Sequence, residues 1–108
     1  MTMTVKTSYY NNGSGIRIQI SGRFDFSVHK MFRDAYSNLD PLKTTFTIDL
    51  SETSYMDSAA LGMLLVLRER AGGSKADITL VGYNKSIGQI LAISRFEQLF
   101  RIGSEKVA

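Results

Sequence analysis

The chain contains no cysteine, one histidine, His29, and one proline, Pro41. Without cysteine it forms no disulfide and offers no thiolate to a metal, and a cytosolic setting is permitted. A single histidine leaves no conventional zinc set. Long apolar runs are also missing: the longest, Ala59 to Leu67, falls far short of the ~20 residues that cross a bilayer. Met1 to Tyr10 alternates threonines with other residues and lacks the apolar segment of a signal peptide. A soluble, cytoplasmic protein with no direct membrane insertion is expected. Excess charge is small too. The 13 Lys and Arg exceed the 10 Asp and Glu by a formal charge of +3 and are spread thinly, without the basic stripe and interleaved aromatics of a nucleic-acid groove, so no nucleic-acid partner is expected.

What is present is an ordinary globular composition, 44% hydrophobic and 21% charged, over 108 residues, enough for one compact domain and too short for two. Residues 1–108 are therefore read as a single domain. Strand and helix signals alternate along its length. Val5 to Tyr10 forms a first strand, Asn11-Asn12-Gly13-Ser14-Gly15 has the chemistry of a hairpin turn, and Ile16 to Ile20 alternates strictly. Val28, Met31, Phe32, Ala35, Tyr36 and Leu39 fall on one helical stripe, with Ser27 as the expected N-cap and Pro41 as the stop. Phe46 to Leu50 alternates again, Ala59 to Ala71 reads as helix ended by Gly72-Gly73, and Ile78 to Val81 reads as strand. Asn84 is expected to cap a helix carrying Ile87, Ile90, Leu91 and Ile93. Phe96 to Ile102 supplies a closing turn and a short last strand or helix.

The order ββαβαβα implies a single small α/β domain with a mixed, mostly parallel sheet and the hairpin strand antiparallel at one side. Parallel strands covered on both faces read as continuous apolar runs, whereas Arg17, Gln19, Thr47, Asp49 and Thr79 interrupt these. The helices are therefore expected mainly on one face. Asp25, Ser27, Asp57, Ser58 and Asn84 would gather at one rim, where open α/β folds place their sites.

Three chemistries compete for that rim. A serine hydrolase built on Ser58 needs a histidine base, but His29 lies off the apolar face of its helix and no Gly-x-Ser-x-Gly turn is present. A nucleotide enzyme needs a phosphate cradle, and neither glycine-rich fingerprint follows a strand. A phosphoacceptor serine needs only an exposed hydroxyl at a helix start. The bland alternative is that Asp57 and Ser58 form an N-cap pair worth about 0.5–2 kcal/mol. The helix that follows weighs against capping alone. Leu61, Leu64 and Leu65 would suffice to bury one stripe, yet Met63, Val66 and Leu67 make much of the remaining surface apolar, as in a helix that is sandwiched or offers a sticky face to a partner. Gly62 costs about 1 kcal/mol of helicity relative to alanine, which points to close packing or close approach there.

Asp57-Ser58-Ala59-Ala60-Leu61-Gly62 resembles the Asp-Ser-x-Gly-Leu-Gly motif of STAS domains, the anti-sigma factor antagonist family of bacteria. Gly22-Arg23-Phe24-Asp25 is similar to the family's Gly-x-Leu-Asp turn, Phe46 to Ser51 to its central strand and Phe96 to Phe100 to its closing segment; Ala60 departs from the usual glycine. The resemblance implies a non-enzymatic, phospho-regulated switch without a cofactor. Its partner would be an anti-sigma factor that is also a serine protein kinase; phosphorylation of Ser58 would release that partner and a serine phosphatase would restore binding. It further implies that Asp57 orients the serine, and that Asp25, Asp57, Ser58, Gly62, Met63 and Val66 meet the partner. Asp25 has an equal alternative as a turn or cap residue. Two other readings stand beside the switch: a permanent STAS-type subunit of a membrane transporter, and a partner switch with an output other than a sigma factor.

Overall fold

The computed structural model describes residues 4–106. Strand β1 (Val5–Tyr10) pairs antiparallel with β2 (Gly15–Ile20), in register from Val5 opposite Ile20 to Tyr10 opposite Gly15. The connecting turn places Asn11, Asn12 and Gly13 at φ values of 53°, 56° and 89°, the left-handed region that asparagine and glycine tolerate best. Strands β4 (Thr45–Asp49), β6 (Asp77–Val81) and β7 (Arg101–Ile102) follow in parallel, giving the order β1-β2-β4-β6-β7. The sheet is mixed and mostly parallel, as the alternation predicts.

One element pair is additional. Strands β3 (Gly22–Phe24) and β5 (Thr53–Met56) form a separate two-stranded parallel ribbon. The chain leaves β2 through Gly22 at φ 80°, whose N–H donates to the Glu52 carbonyl at 2.8 Å, and the buried Thr53 hydroxyl donates to the Ile20 carbonyl at 2.8 Å. These bonds at the bend pair β3 with β5 and carry both strands beyond the main sheet. The expected rim is therefore the end of this ribbon rather than the end of the main sheet.

Three helices cover one face: α1 (His29–Ala35), α2 (Ser58–Arg70) and α3 (Lys85–Ile93). Ile16, Ile18, Ile20, Phe46, Ile48, Leu50 and Leu80 are fully buried, as are Leu64 and Leu67 of α2, and Phe32, Ile87 and Leu91 of α1 and α3 are nearly so. The other sheet face is polar. On it Tyr10 lies over Gly15 and reaches the Thr47 hydroxyl at 2.9 Å, and Arg17 and Gln19 both donate to Asp49, at 3.1 and 3.2 Å. Burial pushes the Asp49 carboxyl up, but hydrogen bonds from Ser51 and the Arg17 guanidinium outweigh it and hold the group below the ordinary carboxylate value.

Three boundaries differ from expectation. Helix α1 ends at Ala35, four residues before Leu39, because Tyr36 N–H and Ser37 N–H bond back to Arg33 and Asp34 in tighter turns. Pro41 does not stop that helix; it opens a separate short turn capped by Asp40. Ser27 is not the N-cap. Asp25 accepts from Ser27 N–H and starts a 3₁₀ turn, Phe26–Val28, that leads into α1. Asn84 does cap α3, accepting from Ile87 N–H at 2.8 Å. Among the described residues no helix is long and apolar enough to cross a membrane.

Candidate functional site

Phe24 of β3 stands opposite Met56 of β5, and both side chains are buried. Asp25 and Asp57 therefore leave the two strands at the same level. Each adopts the same extended backbone, φ −138° and ψ −169° for Asp25, φ −129° and ψ −172° for Asp57, and each turns its carboxylate onto the N–H groups of the helical turn that follows. Asp57 accepts from Ala59 N–H at 3.0 Å and from Ala60 N–H at 3.2 Å. The cap is Asp57 alone rather than an Asp57–Ser58 pair.

Ser58 is the first residue of α2. It is exposed, and its hydroxyl has no hydrogen-bond partner among the described residues. Asp57, half-buried, is fixed by its two backbone bonds. Asp25 is bound more heavily: it accepts from the Ser27 hydroxyl, from Ser27 N–H at 3.0 Å and from Arg23 Nε at 3.2 Å, and these bonds, the Ser27 hydroxyl foremost, hold its carboxyl below the usual value. The Arg23 guanidinium in turn lies 3.8 Å over the Tyr55 ring. Asp25 thus acts as a turn and cap residue on the exposed end of the ribbon.

Asn84 does not share this rim. Its side-chain amide donates to the Thr53 carbonyl at 3.4 Å, at the start of β5, so it lies about 10 Å back along the strand from Met56. His29 is half-buried rather than solvated, stacked on Phe26 with ring centroids 5.0 Å apart.

Next to Ser58 in sequence, Ala59 opens a groove of about 280 Å³ lined by α2 on one side and by α1 and the turn before it on the other. One wall is the α2 row Ala59, Gly62, Met63 and Val66; the other carries Phe26, His29, Arg33 and Tyr36. Val66 is 50% exposed and Phe26 69% exposed. Met63 corrects the expectation of an outward-facing residue, because it is buried, with only its edge reaching the groove. The stripe that enters the core is Ala60, Met63, Leu64 and Leu67, and Leu65, expected inside, is exposed. Small Ala60 lies wholly buried, and its methyl group is accommodated where the motif has glycine.

Gly62 has no intramolecular reason to be glycine: a Cβ built there meets nothing within 4 Å. Close packing against the described residues is excluded, and open groove lies above it. Phe26, His29, Arg33 and Tyr36 were not legible as site residues. The one available signal was Phe26, an aromatic just before a helix and off its apolar stripe. Among the described residues no three His, Asp or Glu side chains converge on a metal position.

Residues 8–102 match the family model described as Mlab, STAS domain. A STAS-domain containing protein of Pseudomonas aeruginosa strain UCBPP-PA14 is 50% identical over 91 residues, covering 84% of this chain and 90% of that protein. The fold is shared with the anti-sigma factor antagonist SpoIIAA in its unphosphorylated form, at a TM-score of 0.70 and 15% identity over 92% of this chain and 86% of that one. The phosphorylated form of the Bacillus protein SpoIIAA gives 0.68 at 14% identity, over 92% and 90%. A sulfate transporter family protein of Wolinella succinogenes gives 0.68 at 14% identity, over 87% and 80%.

Proposed function

Since the chain belongs to the STAS domain family, we propose that it is a non-enzymatic switch whose unphosphorylated form binds an anti-sigma factor acting as a serine protein kinase. The observation that carries this reading is Ser58: an exposed, unbonded hydroxyl, set by the Asp57 cap at the first turn of α2 and beside an apolar groove. An exposed hydroxyl without an intramolecular bond can enter a kinase active site without breaking a contact of the fold. This one is free to attack the γ-phosphorus of ATP in a kinase active site, with ADP leaving and the hydroxyl proton passing to the kinase. ATP and its metal ion belong to the kinase, and the chain needs no cofactor of its own.

Phosphate on Ser58 adds about −1.5 to −2 charges at neutral pH. The helix N-terminus recovers part of the cost. The neighbouring Asp57 carboxylate repels it, and a partner seated over Ala59 and Val66 would have to desolvate it. The partner is therefore released, and a serine phosphatase restores binding. Asp57 orients Ser58, Gly62, Met63 and Val66 lie at the contact, and Asp25 stands at its edge. These events belong to the cytoplasm. Incubation with a cognate kinase and ATP is expected to add one phosphate, at Ser58, absent in Ser58→Ala; phosphate at Ser51, Thr53 or Ser54 instead, or none, would refute the reading.

The fold shared with the Wolinella sulfate transporter family protein favours one second reading, a permanent subunit of a membrane transporter. Affinity purification followed by mass spectrometry separates the two, since a permease or its ATPase would be recovered in place of a kinase.

A further inference from the structure

The groove beside Ser58 does not end at Val66. It runs into a second depression of about 320 Å³ that shares Arg33 and Tyr36 with it and adds Arg70. Along α2 the wall residues Ala59, Gly62, Val66 and Arg70 follow one helical row, so the trough is apolar near Ser58 and basic at its far end. Both arginines are exposed, and among the described residues neither forms an ion pair. Arg70 lies eleven positions after Ala59 along the helix, about 16 Å, the length of three helical turns.

We infer that this trough receives an amphipathic helix of the partner, of about 12 residues, with its apolar stripe over Gly62 and Val66 and two carboxylates at one end paired to Arg33 and Arg70. The inference rests on the switch reading and adds the chemistry of the docking element. The shape is that of the hollow between two packed helices, which a third helix fills with residues at i, i+3 and i+7. Glycine at position 62 lets that helix approach closely, which accounts for a residue that nothing inside the chain requires. The unpaired arginines supply charge complementarity. A second copy of this chain does not match. Its α1 has one carboxylate, Asp34, already paired to Lys30 at 2.9 Å, α2 has only Glu69, and α3 has none.

The test uses the whole chain with methyl-labelled Met, Val and Ala, and three stapled peptides of about 12 residues. They share one leucine stripe and differ only in carrying two Glu, two Gln or two Lys at one end. The Glu peptide is expected to bind, to shift the Val66 and Ala59 methyl resonances, and to exceed the Lys peptide roughly tenfold in affinity. Gly62→Leu is expected to abolish binding at unchanged fold, and the double variant Arg33→Glu with Arg70→Glu to reverse the order of the Glu and Lys peptides. Equal affinities, no binding of the Glu peptide, shifts confined to another surface, or self-association of the free chain through the same methyl groups would each overturn the inference. No kinase takes part, so failure here leaves the switch itself to be decided separately by phosphorylation of Ser58.

Discussion

Replacing Asp57 with alanine removes the side-chain acceptor at the start of α2, and with it both bonds to Ala59 N–H and Ala60 N–H, at 3.0 and 3.2 Å. Loss of such a cap costs about 0.5–2 kcal/mol. The site lies at the upper part of that range for two reasons: Asp57 is half-buried, and Ala60 behind it is in the core, so water cannot fully replace the lost acceptor. The negative charge against the helix N-terminus accounts for roughly 0.3–1 kcal/mol of the total. Asparagine keeps the acceptor and loses only the charge. The expected order is therefore wild type, then Asp57→Asn down by about 0.5 kcal/mol, then Asp57→Ala down by about 1.5 kcal/mol. At about 4–8 °C per kcal/mol for a domain near this size, alanine lowers the melting temperature by roughly 6–12 °C. Thermal and urea unfolding followed by circular dichroism measure both variants. Equal losses for the two, or none for alanine, would show that the carboxylate does not begin the helix in the manner described.

Ser58→Ala is expected to change stability by less than about 0.5 kcal/mol, because the hydroxyl bonds none of the described residues and alanine is the better helix former; a larger loss in the same unfolding assay would assign Ser58 a structural role. Gly62→Ala is expected to raise stability by up to about 1 kcal/mol, since the added methyl group enters open space and favours the helix. A drop in the urea midpoint would contradict that. Asp49 predicts a pH dependence. Its folded value lies below the ordinary 3.8, so its contribution is complete above the unfolded value and disappears as the pH falls through the lower folded one. Wild type should therefore lose stability below about pH 4 more steeply than Asp49→Asn, and parallel urea midpoints from pH 7 to pH 3 would refute the account of Asp49 as a carboxylate held by Ser51 and Arg17.

The main sheet was legible because Ile16 to Ile20 and Phe46 to Leu50 alternate, and alternation reports a strand with one wet face whatever surrounds it. The hairpin and the Asn84 cap were legible for the same reason: each is written in local residues with local consequences. The β3–β5 ribbon was not. Gly22–Phe24 has three residues and Thr53–Met56 four, too few for a period, and the bonds that join them connect residues some thirty positions apart. The rotation of α2 was hidden for a different cause. With apolar residues around most of its circumference, sequence cannot tell whether Met63 or Leu65 turns inward. Packing decides it, because small Ala60 lets that side of the helix approach the sheet and carries Met63 in beside Leu64 and Leu67. The groove depends on that rotation, on Phe26 in the turn before α1 and on Arg33 of α1, so no pattern within one segment encodes it.

The central claim is that the charge on Ser58 decides whether a partner stays bound. Titration calorimetry of a partner kinase recovered with the unmodified chain, against that chain and against the chain phosphorylated at Ser58, tests it directly. Phosphorylation is expected to weaken binding by about tenfold or more, a loss of at least 1.4 kcal/mol. Equal affinity for the two forms, with phosphate verified at Ser58, would contradict the account.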